Sequence, residues 1–289
     1  MAKTASGMKS EKFETEIQRV SNNVFSPIEN DTLAVEEPLE IRVGFRENGK
    51  TIHKAISITM RTPENDHELA AGFLFTEGIL HSKNQIESIK HCGKFPNNRN
   101  TVRLDLSPET TIDFKKLERN FYTTSSCGVC GKSSIEALTT GAKPLESIDF
   151  PRFSAATIHE LPTKIREHQK VFDKTGGLHA AALFDISGNL IDLKEDVGRH
   201  NAVDKLIGAQ FLAGNLPLDD KILFLSGRAS FELLQKAVMA HIPIVCAVGA
   251  PSSLAVEAAR NFGVTLLGFV RDGRFNIYNG SERLNKQGL

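Results

Sequence analysis

The sequence has no net charge, no long apolar run and few cysteines, and each lack closes off a class of function. Lys plus Arg equals Asp plus Glu at 35 each, so the formal net charge is zero. No global field draws the chain to nucleic acid or an anionic membrane, which leaves room only for a local basic pocket. No apolar stretch reaches the roughly 18 residues that span a bilayer. The first 30 residues mix charges with Ser and Asn and lack the apolar core of a secretory signal. They read as a flexible lead-in. Four cysteines (Cys92, Cys127, Cys130 and Cys246), with no export signal, make a poor disulfide framework and suit a reducing, cytoplasmic setting. There is no internal repeat and no low-complexity tract.

What is present is an ordinary globular balance, 40% hydrophobic and 24% charged residues over 289 positions. A chain of that size buries a core without covalent staples. From Leu39 to about Arg61 the residues alternate, broken by Asn48-Gly49, which predicts a hairpin. Asp66 is the expected N-cap of a helix through Glu68–Phe75, and weaker strands follow near 86–92 and 101–106. These elements predict a small α+β unit. Beyond Pro151 a helical stretch reaches Phe172. The remainder then alternates apolar runs (180–184, 190–193, 222–225, 244–248, 264–270) with glycine-bearing turns and helices. That scheme predicts an α/β fold with a largely parallel sheet covered on both faces.

The chemistry concentrates in Cys127-Gly128-Val129-Cys130-Gly131. Lys132-Ser133-Ser134 opens a helical run, so the thiols sit where a helix N-terminus and a cation favour thiolate, and the glycines keep the sulfurs accessible. Three uses fit the C-x-x-C spacing: half of a structural zinc site, a redox dithiol, or a sulfur carrier that holds a persulfide. Zinc needs two further ligands, and Cys92 and Cys246 are isolated. A thioredoxin-like dithiol belongs after a first strand, not some 120 residues into another unit. Spacing alone does not choose among the three. Gly131-Lys132-Ser133 fails as a P-loop because the glycine required earlier is Ser126. Cys246, within an apolar strand, reads as core.

Three turns lie where helices begin: Asp196–Asn201, Ser226-Gly227-Arg228-Ala229-Ser230 and Gly249-Ala250-Pro251-Ser252-Ser253. Free N–H groups at such starts suit phosphate oxygens, and Arg228 adds a guanidinium. Alternatively the glycines only turn the chain and the serines only cap helices. Phe269-Val270-Arg271-Asp272-Gly273-Arg274 places two arginines about an Asp-Gly turn. His179 lies in a stretch reminiscent of zinc deaminases, but Ala181 stands where the catalytic carboxylate would be and no P-C-x-x-C follows, so hydrolytic deamination is not expected.

Taken in series, these motifs resemble the FdhD family of sulfurtransferases that assist formate dehydrogenase maturation. The resemblance rests on Ser125–Gly131, Gly176-Gly177-Leu178-His179-Ala180-Ala181 and Asp196–Lys205. It continues through the 226–230 and 249–253 turns to Gly268-Phe269-Val270-Arg271, in unbroken order over about residues 25 to 280. It implies a persulfide on Cys127, with Cys130 as partner, loaded by a cysteine desulfurase. The acceptor it implies is the molybdenum or tungsten of a bis-guanine-dinucleotide molybdopterin cofactor, bound by Phe269, Val270, Arg271, Asp272, Gly273 and Arg274, with Arg228 an added phosphate contact. Formate dehydrogenase would be the client, the protein a cytoplasmic homodimer with no structural metal, nucleic acid or membrane partner. The expected organisation is a tail at 1–25, a small α+β unit at 26–120, the thiol loop and following helix at 121–150, and a cofactor-binding three-layer α/β domain resembling cytidine deaminase at 151–289.

Overall fold

The structure is a computed structural model that describes residues 11–47, 49–93, 98–110, 112, 144–145 and 152–285. Cys127 and Cys130, with the whole 121–143 stretch, lie outside the described residues. The stretch expected as a flexible lead-in carries an antiparallel hairpin, β1 (Lys12–Ser21) and β2 (Val24–Ala34). Asn22 and Asn23 both have positive φ (51° and 63°), which makes the two-residue type I′ turn that matches strand twist.

The first compact layer is a four-stranded sheet in the order β4-β3-β6-β5. Its strands are β3 (Glu37–Glu47), β4 (Lys50–Arg61), β5 (Ile86–His91) and β6 (Thr101–Leu106), close to the expected positions. Leu39, Ile41 and Val43 alternate along β3 and are fully buried, as a half-buried strand requires. Helix α1 (Asp66–Thr76) covers that face. Its N-cap is Asn65 in the left-handed region, with no side-chain cap bond, rather than the expected Asp66. Asp66 instead receives two hydrogen bonds from the buried Arg61, at 2.7 and 3.0 Å, and a contact from His91 Nε2 at 3.0 Å. An isolated buried guanidinium is costly. The carboxylate is therefore committed to charge pairing instead of capping. Burial raises the Asp66 pKa, but hydrogen bonds and charge from His91 and Arg61 outweigh it and hold the carboxyl at about 2.

The second sheet has six strands in the order β13-β12-β11-β10-β8-β9. They are β8 (His179–Asp185), β9 (Leu190–Asp196), β10 (Lys221–Leu225), β11 (Ile244–Ala247), β12 (Thr265–Arg271) and β13 (Arg274–Asn279). Only β10, β11 and β12 run parallel; β8, β9 and β13 join antiparallel. The sheet is mixed rather than largely parallel. The reason is local: β8–β9 and β12–β13 are each joined by a tight turn, and a turn of that length forces antiparallel pairing. Helices α4 (Arg199–Ala213), α5 (Phe231–Met239) and α6 (Ser253–Phe262) share one core with the first sheet, α1 and one face of this sheet. Helix α2 (Ala155–Arg166) covers the other face over Phe184, Phe224 and Cys246, and the short α3 (Phe172–Thr175) follows it. A small parallel bridge joins β7 (Phe153–Ser154) to β14 (Leu284–Asn285).

The two layers meet where α1 crosses α4. A Cβ built on Gly72 would collide with the Asp204 carbonyl oxygen, and one on Gly208 with that of Glu68. The helix backbones are in contact there, which only paired glycines permit. Beside the crossing, Lys236 of α5 donates to both Asp204 oxygens at 2.9 and 3.0 Å and to Thr76 Oγ1 at 2.9 Å. Gly72→Ala is expected to cost about 3 kcal/mol, the scale of forced overpacking, read as a lower denaturant midpoint with an unchanged slope. Because the Asp66 pKa is depressed, its stabilisation is full above the ordinary carboxylate value of 3.8 and is lost as pH falls toward about 2. In acid titrations Asp66→Asn should therefore lose less stability across that window than the wild-type chain; an identical loss would show that Asp66 is not the titrating group.

Candidate functional site

The parallel strands β10, β11 and β12 end at the same edge of the sheet, so their following turns gather there, as open α/β sheets arrange ligand sites. Backbone hydrogen bonds lace the turns into a layer. Gly249 N–H donates to Gly227 O at 2.9 Å, Ser252 N–H to Ala229 O at 3.0 Å and Phe269 N–H to Gly249 O at 3.2 Å. Ser226 is tied to β8 in both directions, its N–H donating to Ala180 O and its Oγ accepting from Ala180 N–H at 2.8 Å. Gly249 has room for no side chain, since an added Cβ would lie 2.9 Å from Arg228 Cγ. Arg228 and Phe269 thus flank one turn, and the two sequence-derived binding segments are neighbours.

Residues 269–274 form the end of a hairpin. Phe269 takes positive φ (55°) in a bulge, and Asp272 and Gly273 (53° and 67°) complete a type I′ turn. Val270 is buried, while Arg271, Asp272, Gly273 and Arg274 are exposed. Arg271 and Arg274 are direct cross-strand partners. Like charges in that position destabilise a hairpin. The nearby carboxylate, Asp272, is 4.0 Å from Arg271 Nε and is itself mostly exposed. Such a pair is suited to an anion seated between the guanidiniums.

Beside the turn layer, between α2 and the sheet, lies a cavity of about 480 Å³. Its walls include Phe172, Phe224 and Val248, and its polar groups are Arg166, Gln169, His179 and Ser226. His179 opens β8 and stands against Gly227, whose added Cβ would lie 3.4 Å from the imidazole Nδ1. Burial lowers the His179 pKa, and the guanidinium of Arg199, with a smaller push from His200, lowers it further against the opposing pull of Asp196. The ring is therefore held neutral near pH 7, a hydrogen-bonding group rather than a cation. Arg166, Gln169 and Phe172 were not among the sequence candidates; nothing in their local pattern distinguishes them from ordinary helix-end residues, and only the fold brings them to this wall.

The Asp196–Asn201 turn does not serve as the anion cradle considered from its sequence. Fully buried Asp196 accepts from Gly198 N–H at 2.8 Å, Asn201 Nδ2 at 3.0 Å and Thr62 N–H at 3.2 Å, and pairs with Lys205 Nζ at 2.8 Å. Lys205 also donates to Thr62 O at 2.9 Å, and Asn201 reaches Met60 O at 2.7 Å and Thr59 Oγ1 at 3.0 Å. The motif's polar groups are spent clamping the end of β4 to the six-stranded sheet. Two of its side chains, Arg199 and His200, lie within electrostatic reach of His179, and His200, 3.9 Å from Glu232, holds that carboxyl at about 2. Cys246 is fully buried and desolvation pushes its thiol pKa up, so it is inert core. Among the described residues no cluster of His, Cys, Asp or Glu could hold a metal ion. Among them, too, no helix is long and apolar enough to cross a membrane.

The sequence model of the FdhD/NarQ family matches residues 34–285. The chain belongs to the FdhD/NarQ family. Its curated FdhD relatives include the sulfur carrier protein FdhD of Streptomyces coelicolor, 50% identical over 88% of this chain and 89% of that one. The protein of the same name from Picrophilus torridus is 45% identical over 88% and 92%. A crystal structure of a formate dehydrogenase accessory protein from Desulfotalea psychrophila has the same fold, with a TM-score of 0.71, 22% identity and coverage of 96% and 100%. The FdhD/NarQ match spans the turn layer, the Asp196–Lys205 clamp and the Cys127–Cys130 segment alike.

Removing one member of a buried ion pair leaves the other charge unpaired and costs about 3–5 kcal/mol. Asp196→Ala and Lys205→Met should each destabilise the chain on that scale in denaturant unfolding. The double variant should cost clearly less than the sum, because it leaves no orphaned charge; strict additivity would mean that the two do not act as a pair.

Proposed function

We propose that this FdhD/NarQ chain is a cytoplasmic sulfurtransferase that carries sulfur from a cysteine desulfurase to the bis-guanine-dinucleotide molybdenum cofactor and so enables formate dehydrogenase. The observation that carries the reading is the 50% identity to a sulfur carrier protein FdhD across a span that contains both cysteines of the C-x-x-C loop. Cys127 thiolate attacks the outer sulfur of the donor persulfide, and the donor leaves as thiolate, so the step is redox-neutral. Cys130 then attacks the Cys127 sulfur. The outer sulfur departs as sulfide to the metal, a Cys127–Cys130 disulfide forms, and a thiol reductant restores both cysteines.

Support for the cofactor as the acceptor comes from the turn layer. The cargo presents two pyrophosphates. Arg271 and Arg274 face each other across the 269–274 hairpin, and Arg228 is exposed beside the 249–253 turn. Guanidinium pairs bind phosphate oxygens in a forked geometry. Phe269, Val270, Asp272 and Gly273 shape the hairpin that presents the two arginines. The competing reading is a chaperone that binds and delivers the cofactor with its thiols dispensable.

The deciding experiment is intact-mass spectrometry after incubation with an active cysteine desulfurase, cysteine and pyridoxal phosphate. One added sulfur atom, localised to Cys127 or Cys130, lost in Cys127→Ala and accompanied by loss of formate dehydrogenase activity in that variant, is expected. Full activity of Cys127→Ala alongside failure of Arg271→Ala/Arg274→Ala would select the chaperone.

A further inference from the structure

A second cavity lies at the far ends of the helices that start from the turn layer. Helix α4 begins at the rim of that layer and runs 15 residues, roughly 22 Å at 1.5 Å per residue. Helix α5 begins after the 226–230 turn. The far ends of both, with the end of α1 and residues 81–84, enclose about 460 Å³. Phe75 and Phe211, stacked with ring centroids 5.0 Å apart, supply its apolar wall together with Leu216 and Met239. Its titratable groups are His81, Lys83 and His241, and no acid lines it among the described residues. Lys83 lies along the bare backbone of Gly214, where an added Cβ would be 2.5 Å from its Nζ, and it has no ion-pair partner among the described residues.

His241 is held there against its backbone preference. Helices α3, α4 and α6 each end on a glycine in the left-handed region, Gly176, Gly214 and Gly263. At the end of α5 that conformation falls to His241 (φ 60°), with His241 N–H donating to Val238 O and Ile242 N–H to Ala237 O, both at 2.9 Å. Glycine takes such a position without strain and a side chain does not. The imidazole so placed lines the cavity.

The hollow does not close beyond Lys83. It runs on past Asn84 into a more open groove of about 540 Å³ beside Ile86 and Ile89 of β5, the outer strand of the four-stranded sheet, with Leu212 on its wall. Glu87 is the one acid lining it among the described residues. A small ligand is recognised by one concave site that buries most of its surface. A cleft that is aromatic at one end and continues along a strand suits an extended peptide instead.

We propose that this cleft binds a short acidic segment of a partner protein. An aromatic or long aliphatic side chain of the segment fills the end walled by Phe75, Phe211 and Met239, and its flanking carboxylates meet Lys83, His81 and His241. A thioether beside aromatic rings adapts its shape to such a side chain. A partner held here leaves the turn layer, at the opposite ends of α4 and α5, open. The proposal does not rest on the sulfur chemistry, and its failure leaves that reading untouched.

The test is a random peptide library displayed on phage and selected on the immobilised full chain, the enriched peptides then being synthesised and their affinity measured by fluorescence anisotropy. Enriched sequences are expected to set an aromatic residue, leucine or methionine beside carboxylates. Lys83→Glu should weaken their binding about tenfold, because a like charge then faces those carboxylates, while Arg271→Ala/Arg274→Ala leaves it unchanged. His241→Gly should weaken binding and raise the melting temperature together, a pair of opposite effects that a merely structural residue would not show. Lys83 and His241 are exposed, and circular dichroism checks that each variant is folded. No enrichment, enrichment of basic or uncharged peptides, or binding that survives Lys83→Glu or His241→Gly would overturn the proposal. So would a lower solution mass of Lys83→Glu than of the wild-type chain, since the cleft would then hold a second copy.

Discussion

The arrangement of the molecule depends on the contact between the backbones of α1 and α4 at Gly72 and Gly208. Helices normally pack 8–10 Å apart, their separation set by side chains. With no side chain at either crossing position, these two approach until peptide groups touch. That closeness lets the four-stranded sheet and the six-stranded sheet share a single apolar core, from Leu39 and Val102 through Leu206 and Ile207 to Leu223 and Val245. It also lets Lys236 of α5 reach Asp204 and Thr76 together, so three helices are joined at one fully buried charge. A second tie, through Asp196, Lys205 and Asn201, fixes the end of β4 at the rim of the turn layer. The site is therefore held from both sides by buried groups of the frame.

Most local structure was legible in the sequence because local rules decided it. The β3–β4 pairing that closes at Glu47 and Lys50, the strands at 86–91 and 101–106, and the helices that follow β9, β10 and β11 fall where periodicity and turn residues put them. The β1–β2 hairpin was missed because charged and apolar side chains are mixed on both of its faces, so it lacks the buried face that pattern reading relies on; Asn22-Asn23 was the available signal. Strand direction was misjudged for a different reason. Apolar runs such as 180–184 look alike whichever way they run, and only the tight Asp185–Asn189 turn, where Asp185 accepts from Ser187 and Asn189 N–H groups, marks β8–β9 as an antiparallel pair.

The candidate site divides along the same line. Arg228 was singled out by its chemistry and the 269–274 segment by the family resemblance, and the two lie together because parallel strands deliver their turns to one edge. The role of Asp196–Lys205 could not be read locally. A glycine turn rich in polar groups looks identical whether it faces a phosphate or the backbone of Met60 and Thr62, and those partners are some 140 positions away. Gly72 and Gly208 are silent for the same reason, since a helical glycine acquires meaning only from what presses against it.

The facing arginines of the β12–β13 hairpin have one more consequence. Arg271 and Arg274 repel across the turn, so the hairpin is held closed against its own electrostatics by the Asp272-Gly273 turn and the bonds at its root. A bound dianion would remove that repulsion at the same moment that it gains two donors. Anion capture and stiffening of the hairpin would then be one thermodynamic event, and by mass action the thermal stability of this segment would rise with anion concentration. Salt would act in two directions on it, relieving the repulsion within the hairpin while weakening its attraction for an anion.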